Sequence, residues 1–211
     1  MISKEKLVAI FAGAATEMIR SKDELTAIDA KFGDGDHGIT MEKIAKAFLT
    51  SMEKDLKNDA GVKTILENAA DAVMSINGGA AVPLWTTVFS GFAEAIPEEK
   101  TQITEEEFRA MFSCALESIK DLTKARIGDK TLMDALIPGA EAIIGHSGDD
   151  WKEMLREGAE AAEKGAAATS GFVSRYGRAK NYKEATIGAM DAGAVSMARF
   201  FTGMYNAYNG G

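Results

Sequence analysis

Cysteine is nearly absent: Cys114 is the only one in 211 residues, so neither an intrachain disulfide nor a cysteine-based zinc site can form. It falls in an apolar helical stretch and reads as packing. Basic residues are outnumbered, 24 Lys and Arg against 32 Asp and Glu, leaving a net charge of −8. That balance argues against nucleic-acid binding through a general basic surface. No apolar run approaches the ~20 residues needed to cross a bilayer, and the opening Met1-Ile-Ser-Lys-Glu-Lys leads into no signal-peptide core. A cytoplasmic protein without membrane contact is the expectation. Proline is scarce, and no stretch shows the alternation that a half-buried strand requires. The length allows one sizeable core and is short for two, so residues 1–211 read as a single domain.

What is present is helical periodicity. Leu7, Ile10, Phe11, Ala14 and Met18 mark a first helix over roughly 3 to 20. Met41, Ile44, Ala45, Phe48 and Met52 mark a second, and Val62, Ile65, Leu66, Ala69, Val73 and Ile76 a third. Pro83 fits the first turn of a fourth, which ends before Pro97. Thr104 with Glu107 forms a capping box for a fifth, with Phe108, Met111, Phe112, Ala115 and Ile119 facing inwards. Met133, Leu136, Ala140 and Ile143 lie on a sixth that Pro138 should kink. Asp150 caps a seventh helix, to about residue 169, whose Gly158, Ala162, Gly165 and Ala166 allow close packing on a neighbour. The eighth runs from about Gly193 to Tyr208. The eleven methionines read as core filler. His146, at a helix end, reads as solvated. The fold class is therefore all-α, an antiparallel up-and-down bundle of eight helices.

The stretch from Ile28 to Met41 is the chemical centre. It sets Asp29, Asp34 and Asp36 within eight residues and interleaves them with Gly33, Gly35 and Gly38. Carboxylate oxygens on a tight backbone turn suit Mg²⁺ or Ca²⁺, and Mg²⁺ commonly arrives with a phosphate. An EF-hand is excluded, since its frame counted from Asp34 puts Gly38 at position 5 and Ala45 at position 12, where oxygen ligands belong. An Asp-x-Asp nucleophile at a strand end is excluded by the polar, irregular residues before Asp29. A solvated Asp/Gly turn is the plain alternative.

Convergence favours the metal reading. The glycine-rich interruptions follow the first, third, fifth and seventh helices, and in an up-and-down bundle those loops share one end. Asp29 to His37, Gly78-Gly79-Ala80-Ala81, Gly128-Asp129-Lys130-Thr131, and Gly177-Arg178 through Gly193 would meet there. Residues 171 to 193 hold no helical period, and a loop that long is usually functional or disordered.

In that order, Asp-x4-Asp-Gly-Asp-His-Gly, Gly-Gly-Ala-x-x-Pro-Leu, Gly-Asp-Lys-Thr-x-x-Asp-Ala-Leu-x-Pro, Gly-Arg-Ala and Ile-Gly-x-x-Asp-x-Gly-Ala resemble the nucleotide-binding L subunit of dihydroxyacetone kinases. The match runs from residue 28 to 195. The resemblance implies an eight-helix antiparallel barrel with ADP or ATP and two Mg²⁺ ions at one end. It implies Asp29, Asp34 and Asp36 as magnesium ligands, and His37, Gly38, Ile39 and Thr40 as a phosphate-contacting segment. It implies Gly78 to Ala81 as the backbone phosphate cradle, Leu132 as an apolar nucleotide contact, and Arg178 with Asp191, Ala192 and Gly193 as a lid, Arg178 acting in catalysis. Lys130 reads as a nucleotide contact, as a cap, or as the partner of Asp134; His37 reads as a phosphate contact or as a residue that orients an aspartate. Ala81 and Thr40 stand where the family commonly has Ser and Asn. The implied activity is phosphoryl transfer to dihydroxyacetone or a similar short keto-sugar held by a separate K-type subunit. A phosphocarrier protein of the phosphotransferase system is a further implied partner, and a homodimer is left open. The competing class is a helical Mg²⁺- and nucleotide-binding regulatory module without turnover.

Overall fold

Nearly every apolar repeat in the sequence becomes the buried face of a helix in the structure, a computed structural model that describes residues 1–210. Nine α-helices are present among these residues: α1 (Lys4–Arg20), α2 (Lys22–Asp29), α3 (His37–Lys57), α4 (Val62–Met74), α5 (Ala81–Glu94), α6 (Glu105–Leu122), α7 (Met133–Gly145), α8 (Trp151–Ala168) and α9 (Ala192–Asn209). Eight of them close a ring. Each of α3 to α9 packs on the helix before it in the ring, α3 packs on α1, and α9 returns to α1. The ninth, α2, is a short insertion lying against α3. Chain neighbours are space neighbours, and alternate connections open on one pocket, which makes the ring up-and-down.

The expectation of eight helices omitted α2. Ser21 interrupts the helical run after Arg20, and of the eight residues that follow only Leu25 is buried, too little to show a period. The expectation of no β structure also needs a small correction. Ile2–Ser3 (β1) pairs antiparallel with Gln102–Ile103 (β2), tying the N-terminus to the α5–α6 connection.

The inside of the ring is filled by aromatic rings. Phe48 stacks on Phe89 with centroids 4.0 Å apart, Phe11 stacks on Phe92 at 5.7 Å, and Phe200 sits among Phe11, Phe89, Phe92 and Trp85. Buried apolar residues of all nine helices form one cluster. Most methionines belong to it, but Met1, Met74 and Met190 are exposed. Helices approach closely where a side chain is missing. A Cβ at Gly13 of α1 would lie 2.2 Å from Ala207 Cβ, and one at Gly158 of α8 would lie 2.8 Å from Ile143 Cγ1.

Pro138 lies inside α7 as expected, and it withholds the N–H that would bond the carbonyl of Asp134. Gly165 of α8 packs against that carbonyl, where a Cβ would stand only 2.0 Å from the oxygen. His146 departs from expectation. Its side chain is buried and its Nδ1 lies 2.8 Å from Glu157 Oε2, one turn into α8. Cys114 is half-buried, and burial pushes its thiol pKa up, away from thiolate chemistry. No helix is long and apolar enough to cross a membrane among the described residues.

Candidate functional site

The turn between α2 and α3 is shaped by its glycines. Gly35 adopts φ +73, and a Cβ at Gly33 would stand 2.2 Å from Asp29 Oδ1, so the chain passes beside that carboxylate only because glycine is there. Asp29 Oδ2 accepts from Gly35 N–H at 2.9 Å, which orients it toward Asp34 and Asp36. One carboxylate oxygen from each of Asp29, Asp34 and Asp36 lies within 4.8 Å of the others.

Three like charges this close repel. Partial burial holds the Asp36 carboxyl above its ordinary value, and the charges of Asp34 and Asp29 hold it higher still. Arg178 relieves part of the charge through Asp34, its Nη2 lying 2.7 Å from Asp34 Oδ2. The donor set is all oxygen and carries up to three negative charges, which fits a hard divalent cation. Among the described residues this is the one cluster of three or more such ligands.

These carboxylates edge a pocket of about 410 Å³, in the size range of small-molecule sites. Another wall of the pocket is the start of α5, through Gly79 to Ala81. Gly79 has open space where a side chain would be, and no side chain caps α5. Val82 N–H donates to Gly79 O at 3.2 Å and Pro83 has no N–H, so the donors left at the start of α5 for an anion are those of Gly79, Ala80 and Ala81. The N-terminus of α3, at the same end of the ring, also lacks a side-chain cap, whereas Met133 N–H of α7 donates to Thr131 Oγ1 at 3.2 Å. At the far end, α1, α6 and α8 are capped by Ser3, Thr104 and Asp150.

The remaining wall is the segment from Thr169 to Asp191, which the periodicity could not describe. It is built of two 3₁₀ stretches, Thr169–Gly171 and Ala179–Thr186, the second broken at Lys183 with φ 48. Tertiary hydrogen bonds hold it. Gly188 N–H donates to Ser170 O at 2.7 Å, Ser174 N–H to Thr186 Oγ1 at 3.0 Å, and Asp191 N–H to Thr169 Oγ1 at 2.9 Å. Tyr182 packs on Phe32 with ring centroids 5.3 Å apart, joining this segment to the aspartate turn.

The DAK2 domain pattern matches residues 31–206, most of the chain. The chain belongs to the DAK2 domain family. It is 31% identical over 175 residues to the ADP-binding subunit DhaL of the PEP-dependent dihydroxyacetone kinase of Escherichia coli, covering 82% of each chain. It is 34% identical over 194 residues to an L-erythrulose kinase of Pectobacterium atrosepticum, covering 90% of this chain but only 33% of that one. Thus the chain spans about a third of the erythrulose kinase and most of the DhaL subunit. The dihydroxyacetone kinase of C. freundii, solved in complex with AMP-PNP and Mg²⁺, superposes with a TM-score of 0.70 over 98% of this chain and 34% of that one. At 22% identity that likeness shows the fold.

Within this DAK2 fold the expected site residues divide. Asp29, Asp34, Asp36, His37, Thr40, Gly79, Ala80, Ala81, Lys130, Leu132, Arg178, Asp191, Ala192 and Gly193 all border the pocket. Gly38, Ile39 and Gly78 do not. Gly38 instead lets α3 touch α2, since a Cβ there would lie 2.0 Å from Lys22 O; Ile39 is exposed, and Gly78 faces Val82 and Thr40. His37 is turned into the protein. Ser196 Oγ donates to Gly193 O at 2.9 Å and so accepts from His37 Nε2 at 3.1 Å. Burial pushes the imidazole pKa down, against the pull of Asp29, and the ring links the start of α3 to the start of α9.

Lys130 borders the pocket, but its ammonium points away into the protein and does not meet Asp134. Its ammonium donates to the carbonyls of Thr169 at 2.7 Å, Thr186 at 2.9 Å, Phe172 at 3.2 Å and Ala189. Asp134 is taken by Gly128 N–H at 2.6 Å and Thr131 N–H at 2.7 Å. Sequence reasoning passed over Phe32, Trp85, Ser174, Tyr176 and Met190, which also line the pocket. Phe32 and Trp85 flank motifs already singled out; Ser174 and Tyr176 sit in the aperiodic segment and give no pattern.

Proposed function

We propose that this chain is the nucleotide-binding component of a keto-sugar kinase, taking ADP or ATP with two Mg²⁺ ions and passing a phosphoryl group to dihydroxyacetone or a similar short keto-sugar. The observation that carries this reading is that the Asp29, Asp34 and Asp36 cluster and the uncapped start of α5 line one pocket. Phosphoryl transfer needs positioning and charge neutralisation more than covalent work from the protein. Magnesium, when bound, bridges and neutralises phosphate oxygens.

The residues divide the remaining tasks. The three aspartates hold the metal, with Asp29 fixed by Gly35 N–H. The backbone N–H groups at the start of α5 receive phosphate oxygens, in the geometry that helix N-termini offer anions. Arg178, now paired with Asp34 and largely exposed, is free to move its guanidinium onto developing charge at the transferred group. Leu132 and Met190 offer an apolar wall for the base. His37 orients the turn from behind through Ser196.

The chain acts as one domain over 1–211 in this reading, in the cytoplasm. A separate K-type subunit holds the sugar, since the DhaL subunits it resembles are parts of a larger kinase by name. Those names also include PEP dependence, so a phosphocarrier protein is the proposed source of phosphate, and free ATP is the other. A homodimer fits neither better nor worse.

Mass spectrometry of small molecules released from the purified protein tests the nucleotide. Turnover with added K-type subunit, and with ATP or a phosphocarrier system, tests the reaction. Mg²⁺-dependent nucleotide binding without turnover under any pairing would favour the regulatory module instead. Failure to bind any Mg-nucleotide would overturn both.

A further inference from the structure

Lys130 is an unusual place for a charge. The side chain is 4% exposed, and among the described residues no carboxylate lies within ion-pairing distance of its ammonium. Four backbone carbonyls surround it instead, those of Thr169, Phe172, Thr186 and Ala189. An ammonium has three hydrogens for these four oxygens. The arrangement is a carbonyl cage of the kind that replaces the water of a monovalent cation, and here the cation is the chain's own. Burying a charge is costly unless dipoles compensate it. The backbone at Lys130 accepts a further cost, since its φ of 62 is left-handed and no glycine relieves it.

The four oxygens come from both ends of the aperiodic segment. Thr169 and Phe172 open it, and Thr186 and Ala189 close it. Residues 174 to 179, which lie between them in sequence, reach the pocket. The residue before Lys130 engages the same segment, because Arg175 N–H donates to Asp129 O at 3.1 Å and Arg175 Nε lies 3.3 Å from Asp129 Oδ1. Regular helix is absent from the segment, and beside the Gly188–Ser170, Ser174–Thr186 and Asp191–Thr169 bonds that join its ends, a single buried donor that gathers four carbonyls acts as a further crosslink.

We propose that Lys130 is the positioning residue of the pocket's lid, its ammonium serving as a built-in monovalent cation around which residues 169–189 take their shape before any nucleotide arrives. The part of this that concerns nucleotide rests on the reading of the site given above; the part that concerns the lid does not. Lys130 touches no reacting atom in this scheme. It presents Ser174, Tyr176 and Arg178 to the pocket by fixing the backbone that carries them.

A specific consequence separates this from ordinary packing. Removing the side chain while keeping the left-handed backbone, as in Lys130→Gly, leaves a carbonyl cage that an external small cation can fill. Lys130→Met fills the space without charge and blocks that cation. The experiment follows hydrogen exchange of the full chain, without nucleotide, in wild type and both variants, with ammonium chloride or with choline chloride at equal ionic strength. In both variants exchange across 172–189 should quicken by about tenfold or more while α1 and α3 keep wild-type protection. Ammonium should restore slow exchange in Lys130→Gly and leave Lys130→Met unchanged; choline, too large for the cage, should do nothing in either. Mg-ADP affinity, measured in parallel, should follow the same order.

Wild-type exchange across 172–189 in Lys130→Met would overturn the proposal, as would ammonium and choline acting alike on Lys130→Gly. Should either variant fail to fold, the wild type still decides. A caged ammonium exchanges its protons slowly enough to give a distinct nitrogen-correlated signal in NMR, and a Lys130 signal averaged with solvent would overturn the cage. A wild type that binds no Mg-ADP yet shows the expected exchange pattern would sink the nucleotide reading and leave the lid assignment standing.

Discussion

Asp191 is half-buried at the pocket wall, and burial pushes its carboxyl pKa up to about 7 from an ordinary 3.8. The Ala194 N–H, which it caps at 2.8 Å, and the Lys130 charge work against that rise, while Asp134 adds to it. Between the two values the folded protein keeps a proton that the unfolded chain has released. This contribution to stability therefore falls as pH rises from about 4 to about 7, and is constant above that window. At about 1.4 kcal/mol per unit, a rise of about three units sets a ceiling of about 4 kcal/mol. Asp191→Asn keeps an acceptor for the Ala194 N–H and abolishes the titration. Relative to its standing at pH 4, the variant should gain about 2–4 kcal/mol over wild type at pH 8, or very roughly 5–15 °C in Tm for a chain of this size. Urea unfolding followed by circular dichroism for both proteins across that range measures the gain. Stability curves that run parallel from pH 4 to pH 8 would refute the raised carboxyl pKa.

Gly33→Ala puts a methyl 2.2 Å from Asp29 Oδ1, so Asp29 must leave the cluster; calorimetric Mg-nucleotide affinity should drop about tenfold or more, equivalent to about 1.4 kcal/mol, with helicity unchanged. Since partial burial and the neighbouring Asp34 and Asp29 hold the Asp36 carboxyl above its ordinary value, protons compete with Mg²⁺ there; affinity should climb with pH through that raised value and then level off, and a flat profile from acid to neutral pH would count against the competition. Gly165→Ala meets the Asp134 carbonyl at 2.0 Å and should force α7 and α8 apart at a cost of about 1–3 kcal/mol, read as a lower urea midpoint with nucleotide affinity little changed.

The helices were legible because a ring of eight helices around an aromatic centre needs one apolar stripe per helix, and a stripe is what periodicity detects. Phe11, Phe48, Phe92 and Phe112 each sit where their spacing placed them. The capping box at Thr104 and Glu107 appears with both of its bonds, 3.1 Å and 2.9 Å, because its interactions are local. What was not legible depends on long-range contacts. Helix α2 buries only Leu25, so it has no stripe to find. Lys130 and the carbonyls that hold it are separated by 39 to 59 residues, and no local pattern announces them. His146 shows the same limit: its position at a helix end was plain, but its partner Glu157 lies on the next helix.

The two ends of the ring use the same backbone physics to opposite effect. Every α-helix leaves N–H groups unpaired at its start, and at the far end Ser3, Thr104 and Asp150 close four of them on α1, α6 and α8, while α4 starts at Gly61 without a side-chain cap. At the pocket end α3 and α5 begin with no side-chain cap, and the acidic residue best placed to cap α3, Asp36, turns its carboxylate to the cluster with Asp29 and Asp34 instead. Capping α5 with a side chain would contribute about 1 kcal/mol to stability, so its omission has a stability cost that a bound anion can offset. At this end Thr131 Oγ1 accepts from the first N–H of α7, and α9 is capped by Asp191, whose half-buried carboxyl is itself pushed toward the neutral form. In the proposed reading, the unpartnered N–H groups at the starts of α3 and α5 border the same pocket as three clustered carboxylates, and a magnesium–phosphate pair is the simplest species that would supply a cation to the carboxylates and an anion to the helix starts.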